Sequence, residues 1–336
     1  MPQNSDFILA ESAVLAAVCY TDIFDFAPKI EELPTYIPLV KLDEASIAAA
    51  VQRLCEQQRL FRQEQWITLP SRKDLVALRQ ERAAIVLERM KQVHTYLPGL
   101  MAAPWIKGAL LTGSLAAGNP MPDADADLMM ILDRRRMWLG YLLTRLWCRK
   151  KRPIEFCPNY CVADDALKLM YPNLFTAIEW SMARPLKPGP SLSAMDEENA
   201  WCRDMIPNAP LLNEKQVGLT VTKTKTMSLL GWLIYSPLGA LLDKIEFMRL
   251  KWRTAGAYMP SGHIYKPHPP TRQFHIFKGF LKRLDQNNVA MPELRCHIDD
   301  QISSLKLAIK DWEEGVPGSE VKESLENAIT TSSSGT

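Results

Sequence analysis

Two aspartates stand two residues apart in the segment 110–128, which reads LLTGSLAAGNPMPDADADL. Asp125 and Asp127 stand at the start of the largely apolar run 126–132, whose composition is typical of a central strand buried on both faces. Because side chains alternate along a strand, both carboxylates are expected on one face. Like charges in such a place are costly unless a cation neutralises them, and carboxylate oxygens favour Mg²⁺ or Mn²⁺.

A glycine and a serine precede the aspartates. Gly113 and Ser114 follow the apolar run 105–112, and ten residues separate the serine from Asp125. A glycine lets backbone amides come close to an anion, and a serine hydroxyl adds a hydrogen-bond donor. The pair is therefore a candidate phosphate-binding turn.

A calcium loop and a plain surface loop are the alternatives for the acidic segment. A calcium loop beginning at Asp123 would need glycine at its sixth position and glutamate at its twelfth, where the chain has Leu128 and Arg134. A plain surface loop with solvated acids is the simplest alternative and stays open. The sequence contains no P-loop, His-Glu-x-x-His or Gly-x-Ser-x-Gly pattern, which argues against a P-loop ATPase, a zincin and an α/β-hydrolase.

The spacing of the Gly-Ser pair and the two aspartates resembles the signature of the polymerase-beta-like nucleotidyltransferase superfamily. The resemblance covers residues 105–162 and includes Gly118 and the Pro122-Asp123 step. It implies that the nucleotide-binding residues are Gly113, Ser114 and Gly118. It also implies that Asp125 and Asp127 are catalytic residues that hold the metal.

The same resemblance implies a third carboxylate on a later strand. Glu155 is the candidate, because it has apolar neighbours on both sides and follows one intervening helix. Asp164 and Asp165 are the alternative third acids. The chain departs from the family pattern at two further positions, Ala126 between the two acids and Ala117 where many members carry an arginine.

The implied activity is Mg²⁺-dependent transfer of a nucleoside monophosphate from a nucleoside triphosphate to a hydroxyl acceptor that the sequence does not identify. Nucleic acid is a possible acceptor but not the favoured one, since the formal charge of the chain is only +2. The alternative is a catalytically inactive protein that keeps the fold and acts as a binding or regulatory module.

The elements around the motif predict an α+β fold, with a small mixed sheet flanked by helices. Residues 1–70 have the pattern of a winged-helix-like module, three helices followed by a hairpin. Its candidate recognition helix, 44–58, carries a single basic residue, Arg53, so structural or protein-docking roles are favoured over DNA binding. The other predicted parts are a linking helix at 71–100, the nucleotidyltransferase-like domain at 101–184, a helical C-terminal region at 185–314 and a disordered tail at 315–336.

The remaining signals concern environment and core. Seven cysteines, an odd number without an evident secretory signal, fit a reduced cytoplasmic protein. The most apolar stretch, 227–242, is shorter than a bilayer requires, which predicts no membrane span and a buried or partner-facing helix. Trp201 and Trp232 are expected in the core, and His263, His268 and His275 in a structural or ligand-contacting loop.

Overall fold

The computed structural model describes residues 2–210, 212, 219, 225–253, 263–266 and 268–314. The predicted disordered tail, 315–336, lies outside these residues. Side chains are described from residue 7 in the first helix and from residue 229 in the tenth.

The described chain contains helices and strands in an α+β arrangement. The helices are α1 (Pro2–Asp22), α2 (Glu44–Glu56), α3 (Leu75–Tyr96), α4 (Pro98–Met101), α5 (Gly113–Ala116), α6 (Met137–Cys148), α7 (Leu174–Met182), α8 (Pro190–Glu198), α9 (Cys202–Met205), α10 (Lys225–Tyr235), α11 (Pro237–Arg253), α12 (Thr271–Gln286) and α13 (Pro292–Glu313). The strands are β1 (Phe61–Gln63), β2 (Trp66–Thr68), β3 (Ile106–Thr112), β4 (Ala126–Leu132), β5 (Phe156–Ala163), β6 (Arg184–Lys187) and β7 (Ile264–Tyr265).

The central sheet has five strands in the order β6-β3-β4-β5-β7. Only β4 and β5 run parallel, and the other pairs are antiparallel. This confirms the predicted small mixed sheet flanked by helices. The sequence does not predict the two edge strands, β6 and β7, because each is a short segment that interrupts an otherwise helical pattern.

Strand β4 alternates between two apolar layers. Leu128, Met130 and Leu132 pack with helix α6 on one face, whereas Met129 and Ile131 pack with α1, α7 and α12 on the other. Asp127 shares the second face with Met129. Thus both layers of the core hold the strand in the register that aims the Asp127 carboxylate towards α7 and α12.

The N-terminal module is built on α1, which is buried from residue 12 to residue 22. The second expected helix is a 3-10 helix, Ile30–Thr35, and it is followed by α2 and the β1–β2 hairpin. The Asp43 side chain accepts a hydrogen bond from the Ser46 amide and begins α2 at the expected place. Since α1 also packs against α12, the module shares its core with the C-terminal helices.

One strand boundary differs from the prediction in a way that affects the site. The sequence favours a strand over 153–160, but β5 begins at Phe156 and ends at Ala163. Ile154 is buried before the strand starts, so the apolar-Glu-apolar triplet around Glu155 belongs to the approach to the strand. The Glu155 carbonyl accepts a hydrogen bond from the Ala126 amide at 2.8 Å, just ahead of the first paired residues.

The segment that the sequence presents as one apolar stretch is divided between helices α10 and α11, with Ser236 between them. The prediction that Trp232 lies in the core is wrong, because 75% of its surface is exposed. Trp201 is half-buried. No helix among the described residues is long and apolar enough to cross a bilayer. All seven cysteines lie in described ranges, and none forms a disulfide.

Candidate functional site

The predicted phosphate-binding turn lies at the end of β3, next to the aspartates. Gly113 has a φ of +69°, a conformation that side chains with a Cβ rarely adopt. A Cβ on Gly113 would meet the Asp127 carboxylate and lie 3.0 Å from its Cγ. Ser114, in the one-turn helix α5, is exposed, and its carbonyl accepts the Asn119 amide at 2.8 Å. The turn and the carboxylate are therefore in direct contact.

Asp127 lies half-buried opposite Thr112 in the β3–β4 register. Its Oδ1 accepts a hydrogen bond of 2.7 Å from the Asn159 side-chain amide. Burial, followed by the negative charges of Asp125 and Glu179, raises the pKa of Asp127 to about 7. Without a cation, this carboxyl is thus partly protonated near neutral pH.

Cys157 occupies the strand position beside Asp127. The two residues are register partners in the parallel β4–β5 pair. One ligand atom from each of Asp125, Asp127 and Cys157 falls within 4.8 Å of the others, and this is the only such group among the described residues. Burial and the neighbouring carboxylates raise the pKa of the Cys157 thiol to about 11, so it stays protonated at neutral pH.

The candidate third carboxylate, Glu155, is not part of this group. Its side chain is exposed, one residue before β5. The alternative acids lie at the opposite end of the same strand: Asp164 accepts the Arg134 amide at 2.9 Å, and Asp165 pairs with His263 at 2.7 Å. The described residues therefore bring together two of the three predicted metal ligands, Asp125 and Asp127. Cys157, and not a carboxylate, lies beside them on β5.

A cavity of about 510 Å³ opens in front of the two aspartates. The sheet supplies its floor, which includes Asp125, Asp127 and Asn159. Helix α7 supplies one wall with Thr176 and Glu179. A second wall consists of Lys266 and His268, from the segment after β7, and of Arg272 and Gln273 in α12. Carboxylates on the floor thus face three basic side chains across the cavity.

Two titrating groups on the cavity walls influence each other. Burial raises the pKa of Glu179, while the positive charges of Arg272 and Lys266 act in the opposite direction. Burial also lowers the pKa of Lys266 to about 8. The Lys266 ammonium group lies 5.2 Å from the ring centroid of Tyr160 and 5.3 Å from that of Tyr171.

Arginines from the linking helix fix the loop between the turn and the aspartates. Arg79 donates to the Gly118 carbonyl, and Arg82 donates to the Asn119 side chain. Arg89 reaches the Pro122 carbonyl. Gly118 has a φ of +71°, and a Cβ there would lie 3.1 Å from the Arg79 guanidinium group. Gly118, which the resemblance implies to be a nucleotide-binding residue, thus lies in a loop that Arg79 of α3 contacts.

Sequence reasoning missed Asn159, Glu179, Lys266 and Arg272. Glu179 carried a usable signal, because it is the only charged residue within the apolar helix α7. The two basic residues carried none, since their approach to the sheet depends on how β7 and α12 pack. Asn159 becomes relevant only once the true start of β5 is known.

No protein family, curated protein or solved structure was found to match this chain. The resemblance to nucleotidyltransferases therefore remains a prediction from the motif at residues 105–162.

Proposed function

We propose that this protein is a metal-dependent nucleotidyltransferase that moves a nucleoside monophosphate from a nucleoside triphosphate to a hydroxyl acceptor. The observation that carries the proposal is the contact between Gly113 and the carboxylate of Asp127, which lies on the floor of the cavity. A phosphate-binding turn and a metal-binding carboxylate must be neighbours if one triphosphate is to contact both.

The donor groups suit Mg²⁺ or Mn²⁺. Both ions take carboxylate oxygens, and Mg²⁺ is commonly held by one or two carboxylates together with substrate phosphates. Asp125 and Asp127 would hold the ion, while the Cys157 thiol, protonated at neutral pH, lies beside them. When bound, the ion would neutralise charge on the phosphates and lower the pKa of a coordinated hydroxyl.

The chain's own groups would do the positioning. The backbone amides of the Gly113 turn and the Ser114 hydroxyl would bind the terminal phosphates, and Lys266 and Arg272 across the cavity would attract the same anion. Glu179, whose pKa is raised, is a better proton acceptor than an ordinary glutamate and lines the same cavity. The chemistry is therefore mainly orientation and charge neutralisation.

The test is calorimetric titration of each common nucleoside triphosphate into the full chain, with Mg²⁺, with Mn²⁺ and with neither. We expect metal-dependent binding that the double variant Asp125→Asn/Asp127→Asn loses. Asp123→Asn is the matched control, because Asp123 is an exposed acid in the same loop. Binding that survives in the double variant, or that is absent under all conditions, would overturn the proposal.

The second candidate function is that of a catalytically inactive protein that acts through its winged-helix-like module. It gains support from Cys157, which lies beside Asp127 on β5 where a third carboxylate would be expected. A nucleic-acid surface on α2 is not favoured. Arg53, the one basic residue of that helix, pairs with Glu11 at 2.6 Å and packs 4.7 Å from the Phe7 ring centroid. Triphosphate binding without turnover of any acceptor would favour this candidate.

A further inference from the structure

Helices α10 and α11 are held against the rest of the protein by polar contacts on their inner side. The Tyr235 hydroxyl donates to Asp133 at 2.8 Å, and Asp243 accepts the Leu139 amide at 2.8 Å. The tight junction between the two helices requires Gly239, where a Cβ would meet the Ile234 carbonyl oxygen. These contacts determine which side of each helix faces outward.

The outward side is strongly apolar, and we call it the α10–α11 apolar surface. Its large exposed side chains are Leu229, Trp232, Leu233, Leu238, Leu241, Leu242, Ile245, Met248 and Trp252. The exposed fractions reach 75% for Trp232 and 83% for Trp252. In α11 these residues recur every three or four positions, so they form one continuous stripe. Contiguous apolar patches of this kind on a folded protein mark binding surfaces.

Positive charges border the stripe. Lys244 and Lys251 project to one side of it and Arg253 to the other, as the rotation of about 100° per residue requires. All three side chains are exposed, and no ion pair involves them within the described part of the chain. The two acids of α11 have other partners. The buried Glu246 carboxylate pairs with Arg249, and Asp243 accepts the Leu139 amide on the inner side.

We propose that the α10–α11 apolar surface binds the surface of an anionic lipid bilayer, with α11 lying in the plane of the interface. Apolar side chains enter the boundary between headgroups and acyl chains. Tryptophans such as Trp232 and Trp252 are favoured there because the indole ring is largely apolar while its N–H group can donate a hydrogen bond. Lys244, Lys251 and Arg253 then meet the anionic headgroups.

Charge favours a bilayer over a second copy of this chain. In a two-fold symmetric dimer the same patch faces itself, so the bordering cations would approach one another. Helix α11 offers no exposed acid that could pair with them. An anionic lipid surface complements both the stripe and its border. The proposal is independent of the nucleotide site, since none of these residues lines the cavity.

The test is flotation of the full chain with vesicles of pure phosphatidylcholine and with vesicles containing about one third phosphatidylglycerol. We expect binding to the anionic vesicles that falls as salt is raised, together with a blue shift of tryptophan fluorescence. Trp232→Gln/Trp252→Gln and Lys244→Gln/Lys251→Gln/Arg253→Gln should each weaken binding by about tenfold or more.

Leu87→Gln/Leu307→Gln is the matched control, because it removes exposed apolar side chains from α3 and α13 and should bind as the unmodified protein does. Circular dichroism and melting temperature identify any variant that fails to fold, and such a variant is replaced by Leu241→Gln/Ile245→Gln. The proposal is overturned if the unmodified protein ignores both vesicle types. It is also overturned if folded surface variants bind normally, or if light scattering shows a dimer that the tryptophan variant dissociates and that binds no vesicles.

Discussion

The Asp127 carboxylate occupies the space that a side chain at position 113 would need. Gly113 combines a φ of +69° with this contact, so two separate physical reasons require glycine there. The relationship joins the end of β3 to the beginning of β4 across their shared register. It also links the candidate phosphate-binding turn to the proposed metal ligand.

We therefore expect Gly113→Ala to lower the free energy of unfolding by about 2 kcal/mol or more, through strained backbone and displacement of Asp127. Thermal and denaturant unfolding measure the effect. Gly99→Ala is the control, because nothing lies within 4 Å of a Cβ built there, and it should be neutral or slightly stabilising. Equal effects at the two positions would contradict the proposed contact.

The raised pKa of Asp127 predicts how stability changes with pH in the metal-free protein. The pKa is about 7 in the folded chain against 3.8 for the free group, so between these values the folded state holds a proton that the unfolded state has released. The contribution of Asp127 to the free energy of unfolding therefore falls as pH rises from about 4 to 7. Above that range the full cost of burying the charged carboxylate is present.

Asp127→Asn removes this cost and should stabilise the metal-free protein at pH 8 by an amount on the order of 2 kcal/mol, with little effect at pH 4. Melting temperatures measured across this range in the presence of a chelator test the sign. Asp123→Asn, at an exposed position, should show no such dependence. Destabilisation by Asp127→Asn at pH 8 would mean that contacts to the ionised carboxylate, such as the hydrogen bond from Asn159, outweigh the cost of burying its charge.

The strand that carries the aspartates could be predicted from the sequence because β4 is a continuous apolar run with charges at its ends. The third ligand stays a prediction, and there is a physical reason why the sequence alone does not identify it. Glu155 and Cys157 lie two residues apart and would share a strand face, so the choice between them depends on where β5 begins. That boundary is set by pairing with β4, which local composition does not encode. Lys266 could not be predicted as a site residue for the same reason, since the pairing of β7 with β5 brings it to the sheet.

These positions lead to a direct comparison of two variants. Glu155→Gln should leave Mn²⁺ affinity within about twofold, because the Glu155 side chain is exposed and outside the ligand group. Cys157→Asp should raise Mg²⁺ affinity by about tenfold, since it adds a hard oxygen ligand beside Asp127. Metal titration by calorimetry measures both effects. A large loss of affinity in Glu155→Gln with no change in Cys157→Asp would contradict this expectation and would support Glu155 as the third ligand.

Arg79 connects the N-terminal module to the loop around Gly118, and its replacement should affect both. The buried guanidinium group lies 4.3 Å from the Phe26 ring centroid and pairs with Glu32 at 2.7 Å, while it donates to the Gly118 carbonyl. Arg79→Met keeps much of the packing volume but removes the guanidinium group that donates to the Glu32 carboxylate and to the Gly118 carbonyl. We expect a loss of about 3 kcal/mol in unfolding free energy and weaker triphosphate binding at temperatures where the variant is still folded.

Arg62→Met provides the comparison, because Arg62 is exposed in the hairpin and its side chain donates to the Glu64 carbonyl nearby. It should change the melting temperature and the nucleotide affinity little. The informative quantity is affinity measured well below the melting temperature of each variant. If Arg79→Met is less stable yet binds triphosphate as tightly as the unmodified protein, then the module supports the fold without setting the position of the loop. A parallel loss of both properties would instead mean that the loop conformation around Gly118, and with it the phosphate-binding turn, depends on contacts from α3.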